Sequence, residues 1–129
     1  MPIFWNLSNH GLRTAWTPDQ KAAAEAWGGV PRTLHEIPFP AVDPVAGPEA
    51  VARLADQVME TLQEAGARSG DPLMVMGEFT LTHALVLRLK AAGMVPLAST
   101  TRREAVERLQ EDGSLTIQHT FRFVGFRAY

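Results

Sequence analysis

Residues 71–93, DPLMVMGEFTLTHALVLRLKAAG, decide the fold class, because an apolar segment runs there straight into an amphipathic one. Leu73-Met74-Val75-Met76 is a continuous apolar run, typical of a strand that is covered on both faces. The spacing that follows predicts a helix over 80–92, closed by Gly93. The apolar residues on its predicted buried side are Leu81, Ala84, Leu85, Leu87 and Leu89.

The rest of the chain repeats this alternation of strand and helix. Strands are predicted at 3–7, 33–37 and 94–98, and helices at 17–27 and from 48 to about 66. The order predicts an α/β fold with a Rossmann-like, mostly parallel sheet and helices on both faces. A length of 129 residues predicts a single domain over 1–129.

The C-terminal part of the sequence has two interpretations. Residues 104–110 form either a short helix or the first arm of a β-hairpin that turns at Asp112-Gly113. The second arm, 115–129, is the firmer prediction, because Ile117, His119, Phe121 and Phe123 alternate with polar residues. We favour the C-terminal β-hairpin, whose apolar side would be core or a dimer surface.

Composition excludes several classes of site. The chain has no cysteine, which excludes disulfides, zinc ribbons, iron–sulfur clusters and thiol nucleophiles. Its 12 basic and 14 acidic residues give a net charge of −2, so a surface for long nucleic acid is not expected. The four histidines show no metal-ligand spacing, and neither a metal nor another cofactor is expected.

Signals for export or membrane insertion are not found in the sequence. No apolar run approaches the roughly 18–20 residues of a membrane span. The first residues, MPIFWNLSNHG, have no basic segment before their short apolar patch, unlike a signal peptide. We therefore expect a cytoplasmic protein with no membrane partner.

Ligands of parallel sheets bind beyond the carboxyl ends of the strands, so the segments after the strands are the candidate sites. The first is Asn6-Leu7-Ser8-Asn9-His10-Gly11. Here His10 can act as an acid or base, and Ser8 and Asn9 can hold a phosphate or ribose. The alternative is a polar turn in which Asn9 bonds its own backbone.

The second segment is Gly77-Glu78-Phe79-Thr80-Leu81-Thr82-His83. Gly77 would let a ligand approach the backbone, helix N–H groups would attract an anion, and Thr80 or Thr82 would add a hydroxyl. Glu78 would bond a ribose hydroxyl or an adenine amine. Neither a Gly-x-Gly-x-x-Gly nor a Gly-Lys-Ser/Thr motif is present, and the alternative is an ordinary turn with Thr80 as the helix cap.

The third segment is Ser99-Thr100-Thr101-Arg102-Arg103, placed after the fourth predicted strand. Three hydroxyls and two arginines suit a phosphate, because the guanidinium fork matches phosphate oxygens. The alternative is a capped helix start or a strand edge with exposed arginines.

These segments resemble the small CRISPR-associated Rossmann-fold (CARF) proteins. The matching pieces are Asn6-Leu7-Ser8-Asn9-His10, Met76-Gly77-Glu78-Phe79-Thr80-Leu81-Thr82 and Ala98-Ser99-Thr100-Thr101, with Phe121-Arg122-Phe123-Val124-Gly125-Phe126-Arg127 at the end. More narrowly, the chain is similar to the compact stand-alone ring nucleases of type III CRISPR systems. It departs from them at Glu78, where a small or polar residue is expected beside phosphate.

The resemblance implies that a homodimer binds cyclic tetra- or hexa-adenylate across its two-fold axis and cleaves it without metal. A ribose 2′-hydroxyl attacks, and the products end in a 2′,3′-cyclic phosphate. Ser8 and Thr80 would hold phosphate, Arg102 or Arg103 would stabilise developing charge, and His10 or Glu78 would assist proton transfer. Gly77 and the hydroxyl residues Thr82, Ser99, Thr100 and Thr101 would complete the ligand site.

Two other functions compete with this one. The same fold can bind the cyclic nucleotide as a sensor or sponge without cutting it. A small α/β adaptor that dimerises or docks through its apolar tail strand is the second alternative.

Overall fold

The computed structural model describes residues 1–129 as five strands and three helices. In chain order they are β1 (Ile3–Ser8), α1 (Pro18–Glu25), β2 (Thr33–Glu36), α2 (Pro48–Glu64), β3 (Pro72–Met76), α3 (Phe79–Ala91), β4 (Val95–Leu109) and β5 (Leu115–Ala128). None of the helices combines the length and the apolar character that a membrane span requires.

One sheet contains all five strands, in the order β2-β1-β3-β4-β5. The pairs β1–β2, β1–β3 and β3–β4 are parallel, and β4–β5 is antiparallel. The predicted α/β class, the mostly parallel sheet and the C-terminal antiparallel strands are therefore confirmed. The helix alternative for 104–110 is wrong, because these residues lie in β4 and in the turn that leads to β5.

The larger of two hydrophobic clusters lies between the central strands and the helices α2 and α3. Trp5, Leu73 and Val75 come from β1 and β3, and Leu62 and Leu85 come from the two helices. All five are at most 1% exposed. The apolar residues whose spacing predicted these helices thus pack against the sheet. Leu87 is the exception, because it is 56% exposed and lies outside the cluster.

A smaller cluster contains the alternate side chains of the same strands, because neighbouring residues of a strand point to opposite faces. Phe4 and Met74 pack there with Trp16 and with Ala24 of α1. The Phe4 ring centroid lies 4.9 Å from that of Phe126 and 6.1 Å from that of Trp16. β5 therefore attaches to the sheet through an aromatic contact as well as through its hydrogen bonds.

The predicted end of the fourth strand at residue 98 is wrong, since β4 continues to Leu109. Residues 99–103 are consequently part of a strand and not a loop after one. β5 supplies backbone partners for β4 from Leu97 to Leu109, and threonine is well tolerated in strands. Gly113, with φ of 86°, allows the tight turn between them.

Beyond an irregularity between Thr100 and Thr101, the two strands leave the sheet as a two-stranded arm. We call residues 101–109 and 115–123 the ribbon. Val124 lies on β5 between the partners of these two threonines, which is the arrangement of a β-bulge. Nearly all ribbon residues are exposed to solvent.

Candidate functional site

Two neighbouring clefts open at the carboxyl edge of the sheet. The first, of about 390 Å³, lies between α1 and the base of the ribbon, and we call it the ribbon cleft. The second, of about 200 Å³, lies at the start of α3, and we call it the helix cleft. His10 and Met76 line both clefts, so the two are adjoining parts of one site.

Six of the predicted site residues line these clefts. The helix cleft is lined by Asn9, His10, Gly77 and Thr82, and the ribbon cleft by His10, Ser99 and Thr101. They meet because β1 and β3 are parallel neighbours whose carboxyl ends reach the same edge. The N–H of Asn9 donates to the carbonyl of Met76, 3.1 Å away, which joins the two strand ends.

Three hydrogen bonds fix the backbone of His10. Its carbonyl accepts from Asn6 Nδ2 at 2.8 Å and from Trp16 Nε1 at 3.0 Å. Its N–H donates to Ser8 Oγ at 3.1 Å, and the Ser8 hydroxyl also lies 3.2 Å from the His10 carbonyl. The exposed imidazole is therefore carried into the clefts by a loop that is held in one conformation.

The Ser8 hydroxyl is not placed as a ligand group. It is buried and donates to Asn6 Oδ1 at 2.6 Å. Asn6 Nδ2 in turn donates to Glu36 Oε2 at 2.7 Å, and the same oxygen accepts from Leu12 N–H at 2.7 Å. Ser8 thus belongs to a hydrogen-bond network that shapes the loop, and Asn6 and Glu36 are positioning residues of this site.

Glu78 occupies the N-terminus of α3 with its own carboxylate. It accepts from Thr80 N–H at 2.7 Å, from Leu81 N–H at 3.1 Å and from the Thr80 hydroxyl at 2.6 Å. The bond from the Thr80 hydroxyl is the largest cause that holds the pKa of Glu78 below its usual 4.5, followed by the Thr80 N–H. Glu78, and not Thr80, is the helix cap, and these donors are already bonded within the protein.

The neighbour of Gly77 is an aromatic ring of this chain. A Cβ at position 77 would lie 2.4 Å from Cε1 of Phe39, closer than side chains tolerate. Phe39 is partly buried against the larger cluster. A side chain at position 77 would therefore force the Phe39 ring to move.

Thr82 differs from the other hydroxyl residues of the site. Its side chain is 9% exposed, and Oγ1 is buried without a hydrogen-bond partner. A buried hydroxyl without a partner costs about 1–3 kcal/mol, and such groups in native proteins call for an explanation. Thr82 lines the helix cleft, so this unpartnered hydroxyl lies directly beside it.

The third predicted segment is divided between two faces of β4. Thr101 lines the ribbon cleft, while the Thr100 hydroxyl donates to the Gly125 carbonyl at 3.1 Å. Arg103 shares the face of Thr101 and pairs with Phe121, a residue that also lines this cleft. Arg102 lies on the opposite face, and neither of the two predicted arginines lines a cleft.

Aromatic residues at the site were missed by the sequence prediction. Phe79, at the lip of the helix cleft, is 90% exposed. Tyr129 lines the same cleft, and its hydroxyl donates to the Val75 carbonyl. The phenol is partly buried, and this desolvation raises its pKa above 10.0. The one sequence feature that could have indicated Phe79 is its position outside the apolar stripe of α3.

Taken together, these features define a small α/β protein with a two-part cleft at the carboxyl edge of its sheet. The sequence matches, over residues 2–127, the family described as Uncharacterized protein MJ1673 family, and the chain belongs to that family. No curated protein matches the sequence. No group of three or more His, Asp or Glu side chains is arranged to hold a metal ion.

Proposed function

We propose that this protein is a CARF-like, Rossmann-like protein that binds cyclic tetra- or hexa-adenylate as a homodimer and cleaves it without metal, which would switch off type III CRISPR signalling. The observation that carries the proposal is the buried, unpartnered hydroxyl of Thr82. It lies beside the helix cleft, at the edge of the sheet where ligands of such folds bind.

The sheet topology supports the Rossmann-like assignment. The strand order 2-1-3-4-5 is that of doubly wound nucleotide-binding folds, whose ligand lies where the order reverses, between β1 and β3. The helix cleft is lined by the residues that follow these two strands. The two hydrophobic clusters, one with α2 and α3 and the other with α1, support helices on both faces.

The polar groups of the clefts suit a phosphodiester and its ribose. In this proposal Thr82 and Asn9 bond the ligand in the helix cleft, and Ser99 and Thr101 bond it in the ribbon cleft. Ser99 Oγ has only a weak acceptor nearby, the Met76 thioether at 3.2 Å, so it can exchange that contact for a ligand oxygen. Ser8, Thr80 and Thr100 support the loops and the strand around the ligand.

Aromatic rings, of which Phe79 and Phe121 are exposed, flank both clefts and suit nucleobases. Phe79 borders the helix cleft, and Phe121 and Phe123 wall the ribbon cleft. Base–aromatic stacking contributes about 1–3 kcal/mol per base. Three rings at one edge of the sheet therefore favour a ligand with several bases over a single small anion.

The proposed reaction needs few protein groups. The ribose 2′-oxygen forms a bond to the adjacent phosphorus while the bond from phosphorus to the 5′-oxygen breaks. The 2′-hydroxyl loses its proton to His10 and the 5′-oxygen gains one, so a 2′,3′-cyclic phosphate and a 5′-hydroxyl result. Arg103 stabilises the negative charge of the transition state, and Glu78 fixes the start of α3.

The test is incubation of the purified protein with labelled cyclic tetra- and hexa-adenylate in EDTA, followed by chromatography and a gel shift. We expect linear products with cyclic phosphate ends. Arg103→Ala is expected to slow cleavage by about 10²–10³-fold, while Arg102→Ala, on the opposite face of β4, serves as the matched control and stays near wild type. Absence of both shift and products refutes the proposal and favours the adaptor.

A second candidate is a sponge or sensor that binds the ring and leaves it intact. The observation that favours it is the scarcity of ionisable groups, since His10 and Tyr129 are the only ones that line the two clefts. A gel shift without products, at protein concentrations above that of the ring, identifies this function.

A further inference from the structure

The two faces of the ribbon differ in polarity. The face that continues the wall of the ribbon cleft is formed by cross-strand pairs, which are Thr101–Phe123, Arg103–Phe121, Ala105–His119, Glu107–Ile117 and Leu109–Leu115. The opposite face carries Arg102, Glu104, Val106 and Arg108 against Arg122, Thr120, Gln118 and Thr116. We call the first the apolar face and the second the polar face.

The apolar face is open to solvent along its length. Leu109, Leu115, Ile117 and Phe121 are 74%, 64%, 61% and 69% exposed. A two-stranded ribbon without a covering layer is marginally stable in water, and contiguous exposed apolar surface marks an interaction site. The polar face needs no such cover and carries an ion pair between Arg122 and Glu104, with 3.8 Å between nitrogen and oxygen.

We propose that the apolar face packs on the same face of a second copy of this chain, with the two-fold axis at the central pair Ala105–His119. This two-fold axis lies in the interface and runs across the strands. The cross-strand pairs of the second copy therefore follow in the opposite order, and β4 of one copy lies over β4 of the other. Arg103 then faces Glu107 of the second copy, and Phe121 faces Ile117 of the second copy. Opposite charges meet, apolar residues meet, and the smallest side chain of the β4 row lies at the centre.

This arrangement also completes the site. The same reversal places Leu109 and Leu115 of the second copy over the pair Thr101–Phe123, which lines the ribbon cleft. Each cleft thus gains a wall from the other copy. The inference rests on the homodimer of the proposed function and names its surface, while its test does not require a ligand.

The first test is the molar mass of the full chain by sedimentation equilibrium, where the wild type is expected at twice 14.1 kDa. Ile117→Glu, on the apolar face, is expected to raise the dimer dissociation constant about tenfold or more. Gln118→Glu, the next residue on the polar face, is the matched control and is expected to leave it unchanged. Far-ultraviolet circular dichroism of both variants checks that the chain still folds.

The second test exchanges the proposed charge pair. Arg103→Glu and Glu107→Arg are each expected to weaken the dimer, and the double variant is expected to restore it, because the opposite charges meet again. A monomeric wild type, equal effects of the two glutamate substitutions at 117 and 118, or no recovery in the double variant overturns the inference. A ribbon-dependent dimer that neither binds nor cleaves cyclic oligoadenylate refutes the proposed function alone.

Discussion

Replacement of Thr82 by valine is expected to stabilise the protein and weaken its ligand. Valine has nearly the same shape and a similar helix propensity, so the main change is loss of the buried, unpartnered hydroxyl. Relief of the desolvation cost raises the free energy of unfolding by about 1–3 kcal/mol. A lost hydrogen bond to a charged phosphate, at about 1.5–3 kcal/mol, lowers ligand affinity by roughly ten- to a hundredfold.

The assay is urea denaturation of the wild type, Thr82→Val and a control, Thr61→Val. Thr61 is also a helical threonine, but it is exposed and its hydroxyl donates to the Gln57 carbonyl at 3.0 Å. The control is expected to stay within about 0.5 kcal/mol of the wild type. The midpoint of Thr82→Val is expected to rise with the slope unchanged. A Thr82→Val protein that is no more stable than the wild type would refute the reasoning.

Three further predictions concern the edge of the sheet. Gly77→Ala is expected to cost about 1–3 kcal/mol, and denaturant curves should show that most of this cost disappears when Phe39 is also replaced by alanine. The depressed pKa of Glu78 stabilises the fold above pH 4.5, and this contribution is lost as the pH falls below 4.5 through the folded-state pKa. The difference in melting temperature between the wild type and Glu78→Gln should therefore shrink below pH 4.5, and a constant difference would contradict the capping role. Tyr129 is the single tyrosine, so ultraviolet titration of the phenolate reports it alone. Its midpoint should lie above 10.0, and a midpoint at or below 10.0 would be inconsistent with burial beside Val75.

Most of the parallel part of the fold is predictable from the sequence, because its buried strands and helices have a recognisable pattern of apolar residues. Leu73-Met74-Val75-Met76 is apolar at consecutive positions since β3 has a covered face on each side, and α2 shows its buried stripe. The extension of β4 is not predictable in this way. Residues 99–103 have the composition of a turn, and they form a strand only because β5, later in the chain, pairs with them.

The position of the candidate site can be predicted from the sequence, but the roles of its residues are harder to predict. Strand ends in a parallel sheet converge, and Asn9, His10 and Thr82 accordingly line one cleft at that edge. Ser8 and Glu78 have the same chemistry as ligand groups, and only the geometry shows that the protein itself uses them. The contact of Phe39 with Gly77 joins two loops that are distant in sequence, which no local pattern indicates.

The central position of β1 has a consequence for the synthesis of the chain. β1 pairs with β2 and β3, yet Leu73, the partner of Trp5, is added roughly 3–14 s later at a rate of about 5–20 residues per second. The β4–β5 pair, by contrast, is local and closes within about 1–10 μs once both strands exist. A growing chain therefore carries β1 without its β3 neighbour for several seconds, and Trp5 lacks its partner Leu73 throughout that interval.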